Sequence, residues 1–255
     1  MNRDLLRQLW VTASALFGIY GTLLGVGVIG TRVEDAMSGN FATQAALLTP
    51  GTTAFSIWTV IYIGLLAYVV WQWLPKQRAS ERQRAIGWLA GWSMTLNAAW
   101  LLVTQRDWIW VSVLVSAVLV AVLAILMVRA TRIGANSLLE KIVVDGTFGL
   151  YLGWQCVAIC ANITAAGTAN DWSIGPLADQ ILAVVVLAVA AGIGVALAYK
   201  LGARWAVAVA IAWGLGWIAV ARLLDEPNSV IIGVGAVVAA LAVLAAPPVF
   251  RKAQV

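Results

Sequence analysis

Apolar residues run through this chain in long blocks of about 20, separated by short breaks of charge, proline or glycine. Eight such blocks stand out, at roughly 8–30, 53–74, 84–105, 108–128, 142–166, 177–199, 203–222 and 228–249. Each is long enough to cross a bilayer as one helix, which takes about 20 residues at 1.5 Å per residue. Strands of an outer-membrane barrel would instead alternate over about 10 residues. The breaks are Pro50-Gly51, Pro75-Lys76, Arg106-Asp107, Arg129 to Lys141, Asp171 to Pro176, Lys200 to Arg204 and Asp225-Glu226-Pro227. The pattern predicts an all-α integral membrane protein with eight transmembrane helices. The first block is as long as a spanning helix and has no Ala-x-Ala site, so it is expected to remain as helix 1.

Composition agrees with the pattern. The chain has 255 residues, of which 62% are hydrophobic and 11% charged, with mean hydropathy +0.92. A soluble domain carries about 25% charge. The net charge of +5 does not form a basic patch, because the charges sit in short loops. No nucleic-acid partner is expected. The charges report topology instead. Thirteen of the 16 Lys and Arg residues flank one set of block ends. They are Arg3 and Arg7, then Lys76 to Arg84, Arg129 to Lys141, Lys200 and Arg204, and Arg251 and Lys252. Only Arg32, Arg106 and Arg222 lie on the other side, with most of the acids. Both termini are therefore expected to be cytoplasmic, in the cytoplasmic (inner) membrane.

The candidate chemistry is aromatic and amide rather than acid–base. There is no histidine, the commonest metal ligand and general base. Cys156 and Cys160 are four apart in one helix, too far along it for an easy disulfide. After Pro50-Gly51, Phe55, Trp58 and Tyr62 share one helical face. Helix 3 carries Asn97 and Trp100. Helix 5 carries Tyr151, Trp154, Ala158 and Asn162 on one face. Given the topology, Phe55, Trp58, Tyr62, Asn97, Trp100, Trp154, Ala158 and Asn162 fall within roughly 3–18 Å of the outer surface. Three helices thus bring aromatic and amide groups to one depth, as an aromatic pocket requires. A packed core stitched by asparagine hydrogen bonds is the competing explanation. The loop 31–52 has Met37, Phe41, Ala45 and Leu48 at helical spacing, which predicts a short interfacial helix that could act as a lid. Asp145 lies one turn into helix 5, where pairing with Lys141 at i−4 is expected over an ion path. Trp205, Trp213 and Trp217 on helix 7 read as interface and packing groups. Small residues on helix 1 and at Gly87 and Gly91 on helix 3 permit close helix contact, internal or between subunits.

Pro-Gly, then Phe-x-x-Trp-x-x-x-Tyr, then Leu-Asn-x-x-Trp, then Tyr-x-x-Trp-x-x-x-Ala-x-x-x-Asn resembles the translocator protein family. Its members are also called tryptophan-rich sensory proteins, TspO/MBR. The motifs cover about residues 10–166, giving a TspO-like five-helix membrane core at 1–166 and three additional helices at 167–255. The resemblance implies a pocket under the loop between helices 1 and 2, with Phe41 and Pro50 in its lid. It implies a tetrapyrrole or other small apolar ligand, held by Phe55, Trp58, Tyr62, Asn97, Trp100, Trp154, Ala158 and Asn162. It also implies a homodimer through Gly87 and Gly91. No cofactor is required, though porphyrin or haem is an expected ligand. Here the family's double proline is reduced to Pro50, and its Phe and Leu on helix 5 are Val157 and Ala161. The leading expectation is a membrane receptor or sensor. A transporter remains open, motivated by Asp145 and by a 4+4 helix duplication in which Trp217 and Arg222 echo Trp100 and Arg106. A porphyrin-degrading enzyme acting through Trp58 and Trp154 also remains open.

Overall fold

The structure, a computed structural model, describes residues 2–33, 35–36, 39–202 and 204–252. Glu34 and Met37 lie outside the described residues. The chain forms α1 (Arg3–Gly25), α2 (Ile57–Trp71), α3 (Glu81–Thr104), α4 (Ile109–Ile133), α5 (Leu138–Ala169), α6 (Pro176–Lys200), α7 (Trp205–Leu224) and α8 (Val230–Lys252). A 3-10 turn, Thr52–Ser56, leads into α2, and a single helical turn, Pro75–Arg78, follows it. No strand occurs among the described residues. The helix ends follow local chemistry. Asn2 caps α1 by accepting the Asp4 amide hydrogen at 3.0 Å. That helix stops five residues earlier than the apolar pattern suggests, because Gly27 and Gly30 take positive φ just beyond it. Pro176 opens α6 at a position where its missing N–H is no loss.

Among the described residues, seven helices are long and apolar enough to span a membrane, from Thr52–Trp71 through Val230–Phe250. The expected eighth, α1, is not among them. It begins with Arg3, Asp4, Arg7 and Gln8 and carries Thr12, Ser14 and Thr22 further along. Even so, α1 runs parallel to α3 over most of its length, from Arg7 beside Gly87 to Gly25 beside Leu101. A Cβ on Gly87 would lie 2.5 Å from Arg7 Cδ, and one on Gly91 would overlap the Trp10 ring. Trp10 Nε1 donates to the Trp88 carbonyl at 3.2 Å. The close approach expected at Gly87 and Gly91 is made inside the chain, by α1.

The most enclosed of the spanning helices is α5. It packs on α2, α4 and α7. Its approach to α7 depends on glycine. A Cβ on Gly149 would sit 2.9 Å from Ala206 Cβ, one on Gly153 2.8 Å from Ala210 Cβ, and one on Gly214 of α7 2.8 Å from Val157 Cγ1. Small residues four apart allow this spacing where hydrocarbon offers no hydrophobic drive between helices. The three C-terminal helices are thus joined to the first five through one apolar core.

A buried charge cluster closes the end of the bundle that carries the start of α1 and the end of α8, here the terminal face. Arg82 Nη2 donates to Asp145 Oδ1 at 2.5 Å, and Arg82 Nη1 lies 3.3 Å from Glu140 Oε1. Arg204 Nη1 reaches Asp145 Oδ2 at 3.0 Å. Arg82 Nε donates to the Ala130 carbonyl at 3.2 Å. Asp145 therefore pairs across helices and not with Lys141, whose side chain is exposed. The physical reason is a π turn at Lys141–Gly146. Residues five apart in an α-helix point about 140° from each other. The wider turn, with its i→i+5 bonds, brings Glu140 and Asp145 to the same arginine. Removing one member of a buried ion pair costs on the order of 3–5 kcal/mol. Asp145→Asn is expected to lower the melting temperature in detergent steeply, while Lys141→Gln leaves it unchanged. Equal melting of both variants would contradict the pairing.

Candidate functional site

At the opposite end, the loop face, α1, α2, α3, α4 and α5 surround a cavity of about 600 Å³. Aromatic rings form part of its wall because two helical faces converge. Phe55, Trp58 and Tyr62 come from the 3-10 turn and the first turns of α2, and Trp154 and Ala158 from α5. The Trp58 and Trp154 rings meet edge to face, with centroids 6.4 Å apart at 81°. Phe55 lies on Trp154 at 5.7 Å and 75°. Tyr62 stacks on Trp58 at 5.0 Å and 23°, with Tyr151 behind at 5.6 Å. Such pairs hold their rings in place, each contributing about 0.5–1.5 kcal/mol beyond area burial. Asn97 Nδ2 donates to the Tyr62 hydroxyl at 3.1 Å, which satisfies part of a costly buried amide. Tyr151 donates to the Ser93 carbonyl at 3.1 Å. The indole N–H groups of Trp100 and Trp154 are buried with no hydrogen-bond partner among the described residues. Arg32 is the charged member of its described lining. The site thus offers flat aromatic surface and a few polar edges.

A roof covers it. Phe41 packs on Trp100 with ring centroids 5.6 Å apart. Leu48 is fully buried, and Pro50 is buried beside it. Three hydrogen bonds tie the roof and the adjoining 3-10 turn to α7. Arg222 Nη2 donates to the Thr43 carbonyl at 2.8 Å, Gly51 N–H to the Trp217 carbonyl at 3.2 Å, and Trp213 Nε1 to the Ala54 carbonyl at 2.9 Å.

A family model described as TSPO-like protein matches residues 9–246. The chain belongs to the TSPO-like family. No curated protein and no solved structure matches it. The family match extends well past residue 166, where the aromatic motifs end, and takes in α6, α7 and most of α8.

In this TSPO-like protein Phe55, Trp58, Tyr62, Asn97, Trp100, Trp154 and Ala158 line one cavity. Asn162 does not. Its Oδ1 accepts from Ser112 at 3.0 Å and its Nδ2 donates to Ser116 at 3.2 Å, so the amide fastens α5 to α4. The expected interfacial helix in the loop is absent from its described residues. They form successive turns, with Gly39 at φ +78°. Trp213 and Trp217 serve as roof anchors, beyond the packing role their spacing suggests. The sequence also passes over Thr22, Val26 and Gln155, which line the cavity. Gln155 is three residues before Ala158, a spacing that would have placed it on the same side. Arg222 was legible as a charge next to an apolar block, where a partner is required. Among the described residues no group of three or more His, Cys, Asp or Glu could hold a metal ion.

Arg222 is fully buried, and a hydrogen bond to a charged donor contributes about 1.5–3 kcal/mol. Arg222→Met is expected to raise amide hydrogen exchange across residues 40–51 by about tenfold or more, since ~1.4 kcal/mol is one decade. Unchanged protection in that stretch would show that the roof does not depend on α7.

Proposed function

We propose that this protein is a membrane receptor or sensor that holds a flat, apolar ligand of porphyrin-like class beneath its roof. Membership of the TSPO-like family supports a membrane sensor, receptor or transporter in general terms. The observation that carries the reading is the cavity at the loop face, walled by Phe55, Trp58 and Trp154. Its volume of about 600 Å³ falls in the ~300–1,000 Å³ range of sites for compact organic ligands. We place the loop face outside and both termini in the cytoplasm, with α1 as the eighth span, on the strength of the positive-charge asymmetry. Binding is by ring stacking and apolar burial rather than iron ligation. Haem iron takes His, Cys, Met or Tyr ligands, and among the described residues Tyr62 is the sole cavity-lining residue of those types. Its hydroxyl is engaged by Asn97. The transporter reading leaned on Asp145, whose carboxylate is occupied by two arginines.

Tryptophan-fluorescence titration with metal-free protoporphyrin tests the assignment. Trp58→Phe and Trp154→Phe are each expected to weaken binding about tenfold, the equivalent of ~1.4 kcal/mol. Ala158→Leu should abolish binding by filling the cavity, with the fold intact. Wild-type affinity in the double Trp→Phe variant would refute the site. Haem is expected to bind as well as the metal-free ring in the same titration. A large preference for the iron form would refute binding by stacking.

A further inference from the structure

The aromatic cavity adjoins a smaller hollow of about 190 Å³ between α1 and α2. Gly18, Ile19, Leu23, Leu65 and Met94 contribute to its lining, which is almost entirely apolar. The two share Thr22, Tyr62, Leu66 and Asn97, so they are adjacent, with the Asn97–Tyr62 hydrogen bond where they meet. The side chains flanking the gap face outward. Ile19 is 45% exposed, Ile63 63% and Leu66 48%. In a spanning bundle such residues touch acyl chains. Packing between α1 and α2 is sparse, whereas α1 lies close along α3. At Gly18 an added Cβ would meet nothing within 4 Å. The roof above is closed differently, by the buried Phe41 and Leu48 and by the three hydrogen bonds from α7.

We propose that the gap between α1 and α2 is the entry site of the cavity, through which a membrane-dissolved apolar ligand exchanges with the hydrocarbon of the loop-face leaflet while the roof stays shut. The two openings differ in chemistry. Passage through the roof requires breaking hydrogen bonds made by a buried arginine and a buried backbone. Passage through the gap displaces lipid contacts, the rotamers of Ile19, Leu23, Ile63 and Leu66 and, where the two spaces meet, the hydrogen bond of Asn97 to Tyr62. An apolar ligand is already concentrated in the bilayer, so this route spares it a return to water. The inference rests on reading the cavity as a ligand site, but the route can be followed without that ligand.

The experiment uses the full chain in nanodiscs with Cys156 and Cys160 replaced by alanine and a reporter thiol introduced by Ala158→Cys. Labelling is timed with N-cyclohexylmaleimide, which enters lipid, and with a sulfonated maleimide, which does not. The expected result is labelling by the first reagent only. Gly18→Trp, which plugs the hollow where space is open, should slow it by about tenfold or more, as when binding must await a conformational change. Gly18→Leu should slow it less, and Arg222→Met should leave it unchanged. Labelling that ignores both residue 18 variants, that is accelerated by Arg222→Met, or that proceeds equally with the sulfonated reagent would overturn the proposal. So would complete resistance of the thiol to N-cyclohexylmaleimide. Failure of protoporphyrin to bind the same nanodiscs, with labelling still gated at residue 18, would remove the porphyrin reading and leave the entry site standing.

Discussion

The close approach of α7 to α5 is the contact on which the rest of this protein depends. Gly149 and Gly153 leave room for Ala206 and Ala210, and Gly214 leaves room for Val157. One side of α5 can then be given to α7 while another presents Trp154 and Ala158 to the cavity. The same seam fixes the height of α7. It brings Trp213, Trp217 and Arg222 to the loop between α1 and α2, where they hold Ala54, Gly51 and Thr43. A bulkier residue at Gly153 would strain the α5–α7 packing, at a cost on the order of 1–3 kcal/mol for overpacking alone. It would also draw the roof anchors out of reach. The C-terminal helices are accordingly part of the site's architecture, although none of their residues lines the cavity.

Polar groups inside a hydrocarbon-facing bundle must be paired, and here most of them are paired between helices. Asn162 joins α5 to α4, Tyr151 joins α5 to α3, and Asn97 joins α3 to α2. The charge cluster at Arg82 and Asp145 ties α3, α4, α5 and the α6–α7 connection at the terminal face. Bonds of this kind contribute modestly when made and cost more when broken, because the partner left behind stays buried. They make the bundle rigid at both ends. Among the described residues the buried polar atoms without a hydrogen-bond partner include the Trp100 and Trp154 N–H groups at the cavity, and Gln72 Oε1, Gln83 Nε2 and Thr131 Oγ1 toward the terminal face.

Much of the site was legible because it is written in helical periodicity. Phe55, Trp58 and Tyr62 must share a face of α2, and charge asymmetry put that face at the same depth as Asn97 and Trp154. What could not be read was the choice among partners. Asn162 has the angular position of a cavity residue, but Ser112 and Ser116 of α4 intercept it. Asp145 has Lys141 at helical spacing, but a π turn hands it to Arg82 and Arg204. The loop 31–52 carries a helical pattern of apolar residues, yet Phe41 and Leu48 are spent on Trp100 and the core, and the backbone follows them in turns. Spacing reports which way a side chain points on its own helix. It is silent on what the neighbouring helix offers there.

The central claim is that Trp58 and Trp154 form the walls of a ligand site at the loop face. The most direct measurement is the anomalous diffraction of crystals grown with palladium protoporphyrin, which marks the ring centre without asking the protein for an axial ligand. The account predicts one strong peak inside the cavity, between the Trp58 and Trp154 rings and next to Ala158, beneath Phe41. A peak on the lipid-facing surface, or at the terminal face near Arg82 and Asp145, with the aromatic cavity empty, would contradict it.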